Sequence, residues 1–190
     1  MSTAPLPPAE YYATLPKHLA GAGVILHDDD NRVVLVQPRY RTDTWEIPGG
    51  ALDPGEHPWQ TARREVAEEL GIDLAPGRLL VVDWVPAQPD GRPPLANYLF
   101  DGGIITESRL RDRVRLDVGE LSRWRLAAAA ELDELLIPLL ANRVRQALQA
   151  LAADTAVYLH GGRHPDDEDS DPLPATGFTP DARPSTIYEP

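Results

Sequence analysis

The sequence predicts an α+β fold, a mixed β-sheet with helices packed against it. Three observations carry this. Short runs rich in Val, Leu and Ile recur between turn residues, as in RVVLVQ (32–37) and RLLVVDWV (78–85). One amphipathic stretch, 58–70, is bracketed by Pro58 and Gly71, a helix start and a helix stop. Strands and helices follow each other without strict βαβ alternation, which argues against a doubly wound sheet.

Taken in order, residues 1–17 are rich in Pro and Ala and read as a loose arm. AGAGVILHD (20–28) and RVVLVQ (32–37) flank the turn residues DDDN, so they read as two strands of a hairpin. WEIP (45–48) is a short apolar segment stopped by Gly49-Gly50. DPGEHP (53–58) is a loop leading into the helix 58–70. RLLVVDWV (78–85) and LANYLFD (95–101) are strands separated by the loop QPDGRPP. Residues 104–118 are charged and ambiguous. ELSRWRL (120–126) alternates weakly and reads as a strand. AAAAELDELL (127–136) and the run 139–154 read as helices broken at Pro138, and AVYLH (156–160) as a last short strand.

From Gly161 the composition turns acidic and Pro-rich, with few large apolar residues. The expected organisation is therefore an arm at 1–17, one domain at 18–160 and a disordered tail at 161–190. Half of the net charge of −12 lies from Asp154 onward, and the rest still leaves an acidic body. That charge disfavours nucleic acid or an anionic membrane as the main partner. No apolar run approaches the roughly 20 residues that span a bilayer. The first residues lack the basic and apolar regions of a signal peptide. The absence of Cys removes disulfides, Cys-ligated zinc and thiol catalysis, and it fits a reducing, cytoplasmic setting.

Chemistry concentrates in GGALDPGEHPWQTARREVAEELG, Gly49 to Gly71. At about 100° per residue, Glu65, Glu68 and Glu69 share one helix face, bordering the apolar face of Trp59, Ala62, Val66 and Leu70. Carboxylates near a helix C-terminus oppose the macrodipole, and like charges three and four apart repel. A solvated acidic face with Arg64 pairing to Glu68 is the plain explanation. The breach of a local rule beside the core, next to a Gly-Gly turn, points instead to a site. Clustered carboxylates with no Cys suit a hard divalent cation, Mg²⁺ or Mn²⁺.

This stretch resembles the signature of the Nudix hydrolases, G-x5-E-x7-R-E-U-x-E-E-x-G-U, where U is a bulky aliphatic residue. Gly50, Glu56, Arg64, Glu65, Val66, Glu68, Glu69, Gly71 and Ile72 meet every fixed position. The elements on either side are similar to the family's α/β/α sandwich, so the resemblance spans roughly 18–155. It implies that Glu65, Glu68, Glu69 and the carbonyl of Gly49 hold Mg²⁺, with Mn²⁺ as a substitute. Glu56 and Arg64 then stand behind them, Arg64 orienting the carboxylates. It follows that the metal-free protein is the less stable form.

The resemblance further implies a hydrolase of nucleoside-diphosphate-X compounds, of the ADP-ribose or nucleotide-sugar type. The alternatives are a house-cleaning nucleoside triphosphate pyrophosphohydrolase and, in another class, a non-catalytic nucleotide sensor. Metal ions neutralise the diphosphate and activate water, and a carboxylate takes its proton. Glu69 is the first choice for that base, Glu120 the best from outside the signature, and Glu107 stands behind it. Arg39, Tyr40 and Arg41, after the second strand, are candidates for substrate contact against the plain reading of a solvated loop. Trp45 and Trp84 read as core, and Pro86 and Pro89 bracket a position associated with ADP-ribose substrates. The expected partner is a small nucleotide, with no nucleic acid or membrane. A homodimer fits the family's habit.

Overall fold

The computed structural model describes residues 6–167 and 171–173. A mixed sheet of seven strands forms its centre: β1 (Leu19–His27), β2 (Val33–Pro38), β3 (Gly49–Ala51), β4 (Leu79–Val85), β5 (Leu95–Ile104), β6 (Leu121–Ala127) and β7 (Val157–His160). The order is β6-β2-β1-β5-β4-β7, and β3 pairs with β1. β1 lies parallel to β5 and β4 to β7, and the other pairs are antiparallel.

β1 and β2 are covered on both faces, so they read as unbroken apolar runs rather than alternations. Val24, Leu26, Val34 and Val36 enter one layer, Ile25, Val33 and Leu35 the other. The first layer is closed by α2 (Pro58–Leu70) and α3 (Glu107–Arg113), through Ala62, Val66, Leu70 and Leu110. The second is closed by α4 (Leu132–Leu135) and α5 (Pro138–Ala152), through Leu132, Leu140, Val144 and Ala147. This is the α/β/α sandwich. Among the described residues no helix is long and apolar enough to cross a membrane.

Four local expectations change. β1 and β2 do not form a full hairpin: they pair only at His27 and Val33, then splay apart. The segment 46–51 fills the gap. Glu46 exchanges both backbone bonds with Val36 (2.8 and 2.9 Å), and Gly49, Gly50 and Ala51 pair with Gly23, Ala22 and Gly21. Gly49-Gly50 thus continues the chain as β3 rather than stopping it. The backbones approach closely there: a Cβ on Gly23 would lie 2.6 Å from the Pro48 carbonyl.

The helix expected over 127–136 is instead the end of β6, a 3₁₀ turn (Ala129–Glu131) and the single turn α4. Ala127 pairs with Val33, and the Glu131 carboxylate accepts the Ala128 N–H at 2.8 Å, so the strand and a new cap override alanine's helix propensity. The ambiguous 104–118 contains α3, whose start is held by the Thr106 hydroxyl accepting from the Arg109 N–H (3.3 Å). In the arm, α1 (Pro8–Ala13) is a six-residue helix with no buried residue.

The first residues after His160 lie against the domain. Gly162 donates its N–H to Asp83, and the Leu173 N–H bonds to the Gly161 carbonyl at 2.9 Å. The rest of the expected tail lies outside the described residues.

Candidate active site

α2 positions the signature side chains. Pro58 supplies a preset first residue, Gln60 reaches back to the His57 N–H (3.2 Å), and Gly71 ends the helix with φ of 68°. Ala62, Val66 and Leu70 are fully buried, which fixes the rotation of the helix against the sheet. That rotation buries Glu65 and Glu69, at 3% and 8% exposure, and turns Glu68 outward.

Arg64 organises the outer side. Its Nε and Nη2 grip the two oxygens of Glu56 at 2.9 and 3.0 Å. Its Nη1 donates to Glu65 Oε1 at 2.7 Å and to Glu68 Oε2 at 3.0 Å, and Nη2 also donates to the Ala51 carbonyl at 3.1 Å. Glu56 accepts two further bonds, from the Thr61 hydroxyl (2.7 Å) and the Asp53 N–H (3.2 Å). Arg64 foremost, then Thr61 and Asp53, hold the Glu56 carboxyl down at about 2 despite its partial burial. Arg64 in turn is held cationic, by Glu56 first.

Glu69 faces inward. Its Oε2 accepts the Gly49 N–H at 3.0 Å, joining α2 to β3. Burial pushes its carboxyl well up, and the charge of Glu65 adds to this. The Gly49 N–H opposes the rise, while Glu46 and Glu120 push further in the same direction. Three carboxylates, from a helix, a strand segment and a loop, therefore act on Glu69.

The helix end solves its own problem. The loop after α3 supplies N–H donors to the last carbonyls, Arg115 to Leu70 at 2.7 Å and Asp117 to Glu69 at 3.2 Å. With the Gly71 N–H on the Ala67 carbonyl, three of the last carbonyls are satisfied although no basic side chain occupies the last turn.

Of the residues singled out in the sequence, Glu120 stands directly before β6, its charge acting on Glu69. Arg39 lies beside it: its N–H bonds to the Glu120 carbonyl and its guanidinium to the Val118 carbonyl, both at 2.7 Å. Tyr40 is half exposed, and Arg41 pairs with Asp43 at 3.3 Å. Glu107 faces Arg32 (3.4 Å) and Arg111 (2.6 Å) on another part of the surface. Trp45 packs partly buried on the second layer beneath Arg123 and Arg125, and Trp84 meets His18 edge to face. Glu46, whose charge also acts on Glu69, is not among the residues singled out in the sequence; its alternation with Trp45 and Ile47 in WEIP was the available signal.

A hard divalent cation fits this donor set. The acids outnumber the single arginine among them, and a Cβ on Gly50 would overlap the Glu65 carboxylate, so glycine leaves that carboxylate its place. Among the described residues no three acidic or histidine side chains form a ready cage. Glu65 and Glu68 are turned to Arg64, and Glu69 to Gly49, so the carboxylates must swing to share an ion.

Comparison with known proteins gives the same direction. The NUDIX domain family matches residues 17–151. An RNA pyrophosphohydrolase from Rhodopseudomonas palustris (strain BisB18) is 29% identical over 137 residues, 64% of this chain and 78% of that protein. Nucleoside diphosphate-linked moiety X motif 6 from Xenopus laevis is 48% identical over 63 residues, 32% of this chain and 28% of that protein. Among solved structures, that of a UDP-X diphosphatase has a TM-score of 0.60 at 18% identity, covering 82% of this chain and 76% of that one. At that identity the likeness shows the fold.

Proposed function

This chain belongs to the Nudix family, and from that premise we propose that it cleaves nucleoside-diphosphate-X compounds of the ADP-ribose or nucleotide-sugar type, with Mg²⁺. It is a Nudix hydrolase, and such hydrolases act on nucleotides with the help of divalent metals. The observation that carries the site assignment is the Glu56–Arg64–Glu65/Glu68 network beside the buried Glu69.

Glu65, Glu68, Glu69 and the Gly49 carbonyl would hold the cation, which when bound would supply charge neutralisation on the diphosphate and activation of water. Arg64 is a positioning residue that aims Glu65 and Glu68 through charge-assisted hydrogen bonds. Glu69, buried beside the Gly49 N–H, takes the proton from the attacking water. Glu120, directly before β6, is the alternative carboxylate from outside the signature for that task. One water adds across the P–O–P bond and leaves a nucleoside monophosphate and phosphorylated X. Arg39, whose N–H bonds to the Glu120 carbonyl, and the neighbouring Tyr40 and Arg41 would receive the substrate's outer groups.

The test is product release with Mg²⁺ across ADP-ribose, nucleotide sugars, dinucleoside polyphosphates, nucleoside triphosphates and a 5′-triphosphorylated oligonucleotide. The last arm is included because a relative is named for RNA, although the charge of −12 opposes a long polyanion. Turnover of the diphosphate-X arm, lowered about 10²–10⁴-fold by Glu69→Gln, is expected. Turnover confined to triphosphates, or silence with the protein folded and Mg²⁺ bound, overturns this reading.

A further inference from the structure

We propose that the cleft along the outer edge of β6 is a second binding site, taking a small phosphate-bearing anion on Arg32, Arg111, Arg123 and Arg125. None of these side chains belongs to the carboxylate network of α2.

The protein carries a net charge of −12, yet four arginines meet around this cleft of about 640 Å³. Arg123 and Arg125 come from β6, Arg32 from the turn before β2 and Arg111 from α3. The volume lies within the roughly 300–1,000 Å³ of small-molecule sites. Charge that only guards an edge strand is supplied by the two arginines of β6. It gives no reason for two more to converge from other elements.

The donors are already arranged for an anion. The guanidinium groups of Arg123 and Arg125 lie over the Trp45 ring, at 5.4 and 5.8 Å from its centre, which limits the freedom that binding would otherwise cost. Arg123 donates its Nε to the neutral Gln37 Oε1 at 2.7 Å, and among the described residues it forms no ion pair with a carboxylate. Glu107, the acid in the lining, bridges two of the other arginines. Its Oε1 accepts from Arg111 Nη2 at 2.6 Å and its Oε2 from Arg32 Nη2 at 3.4 Å. Glu107 thus stands where an oxyanion would sit, between two guanidinium groups. Arg111 first, then Arg32, hold its carboxyl below the usual carboxylate range. Behind the lining, Asp28 pairs with Arg32 and Glu131 with Arg125. Four arginines then face three carboxylates, so positive charge stays in excess. Exposed ion pairs hold weakly, and a phosphate brings more oxygens and more charge than the Glu107 carboxylate it would displace. Guanidinium forks match phosphate in a bidentate manner.

The experiment is calorimetric titration of the full chain in EDTA at low salt, so that no divalent ion holds phosphate at the carboxylates of α2. The probes are pyrophosphate, AMP and a poly-aspartate peptide. Pyrophosphate or AMP is expected to bind, and the tighter of the two tells a free diphosphate from a phosphate ester. Arg123→Gln and Arg111→Gln are each expected to weaken binding at least about fivefold. Arg111 is 70% exposed, so its variant carries the test if Arg123→Gln does not fold. Glu107→Gln is expected to tighten binding at least about threefold, because the internal competitor is gone. A cluster that merely braces the surface gains no affinity when one member is removed. No heat from either phosphate up to about 10 mM overturns the site. An affinity that changes with Glu69→Gln but with neither arginine variant puts the anion at α2 and also overturns it. Poly-aspartate binding at least as tightly as the phosphates makes the cleft a peptide site and overturns the ligand class.

Discussion

Glu56 illustrates how single residues are held in this site. Its carboxylate accepts from Arg64 twice, from Thr61 and from the Asp53 N–H. Its pKa is about 2 in the folded protein against 4.5 in the unfolded chain. A depressed pKa contributes stability that is complete above the unfolded value and lost as pH falls through the folded one. The window is therefore pH 4.5 to about 2. At about 1.4 kcal/mol per unit the contribution is at most roughly 3 kcal/mol, less the screening of a side chain still 20% exposed. Urea midpoints of wild type should fall between pH 5 and pH 2.5 by more than those of Glu56→Gln. Parallel pH profiles for the two proteins would refute the ion pair. Thr61 is fully buried and its hydroxyl donates to Glu56 at 2.7 Å. Thr61→Val keeps the shape and removes the donor, so it should cost about 1–2 kcal/mol in denaturant unfolding, with Thr61→Ser recovering most of it.

At the scale of elements, the joint between β3 and α2 decides whether the carboxylates can assemble. Gly50 lies under the Glu65 carboxylate, and a methyl group there occupies its place. Gly50→Ala should abolish most of the Mg²⁺-induced rise in melting temperature. Gly55, with nothing within 4 Å of its virtual Cβ but φ of 88°, is the control: Gly55→Ala should cost about 1–2 kcal/mol of stability while the Mg²⁺ response survives. Equal Mg²⁺ responses in the two variants would show that Gly50 has no part in the site. This joint also marks the limit of what the sequence discloses. Helix α2 was legible to the residue because Pro58, Gly71 and an apolar stripe all agree. The family resemblance placed Glu56 and Arg64 behind the ligands, but their direct pairing was not legible, since the two meet across a loop. β3 was not legible, because its pairing is set by backbone approach at Gly23 and Gly49, and backbone approach leaves no hydrophobic pattern. Residues 127–136 misled for the opposite reason: a run of alanines suggests a helix, while pairing to β2 and the Glu131 cap decide otherwise. β6 shows a further element-level device. As the outer strand it carries Arg123 and Arg125 over Trp45, beside a shallow cleft of about 640 Å³ that Arg32 and Arg111 also line. Charge on an edge strand discourages pairing with another chain.

Over the whole molecule, the sheet's two ends are closed differently, and the β7 end depends on residues beyond the expected domain boundary. Asp83, on β4, is fully buried and receives Arg143 of α5 through Nε at 2.8 Å and Nη2 at 2.7 Å. Its other oxygen accepts the Gly162 N–H at 3.0 Å. The Gly161 N–H bonds to the Trp84 carbonyl at 2.8 Å, the Asn142 amide to the Gly162 carbonyl, and Leu173 packs with Val85 and Leu139. The strap completes the coordination of a buried ion pair, and such pairs are favourable only when their remaining donors and acceptors are satisfied. A chain ending at His160 leaves Asp83 short of a donor and uncovers Leu139. A chain ending at Leu173 keeps both contacts. Unfolding of the two truncated chains in urea should therefore differ by about 2–4 kcal/mol, from one lost hydrogen bond to a buried charge and the exposure of apolar area. In the shorter chain, Asp83→Asn should cost less than it does in the longer one, because the carboxylate has already lost a partner. The layer of α2, which carries the proposed site, lies on the opposite sheet face from α5, so specific activity per folded molecule should be the same in both. Equal stability of the two chains would mean that the strap is a passive covering, and a loss of activity at equal stability would tie it to the site.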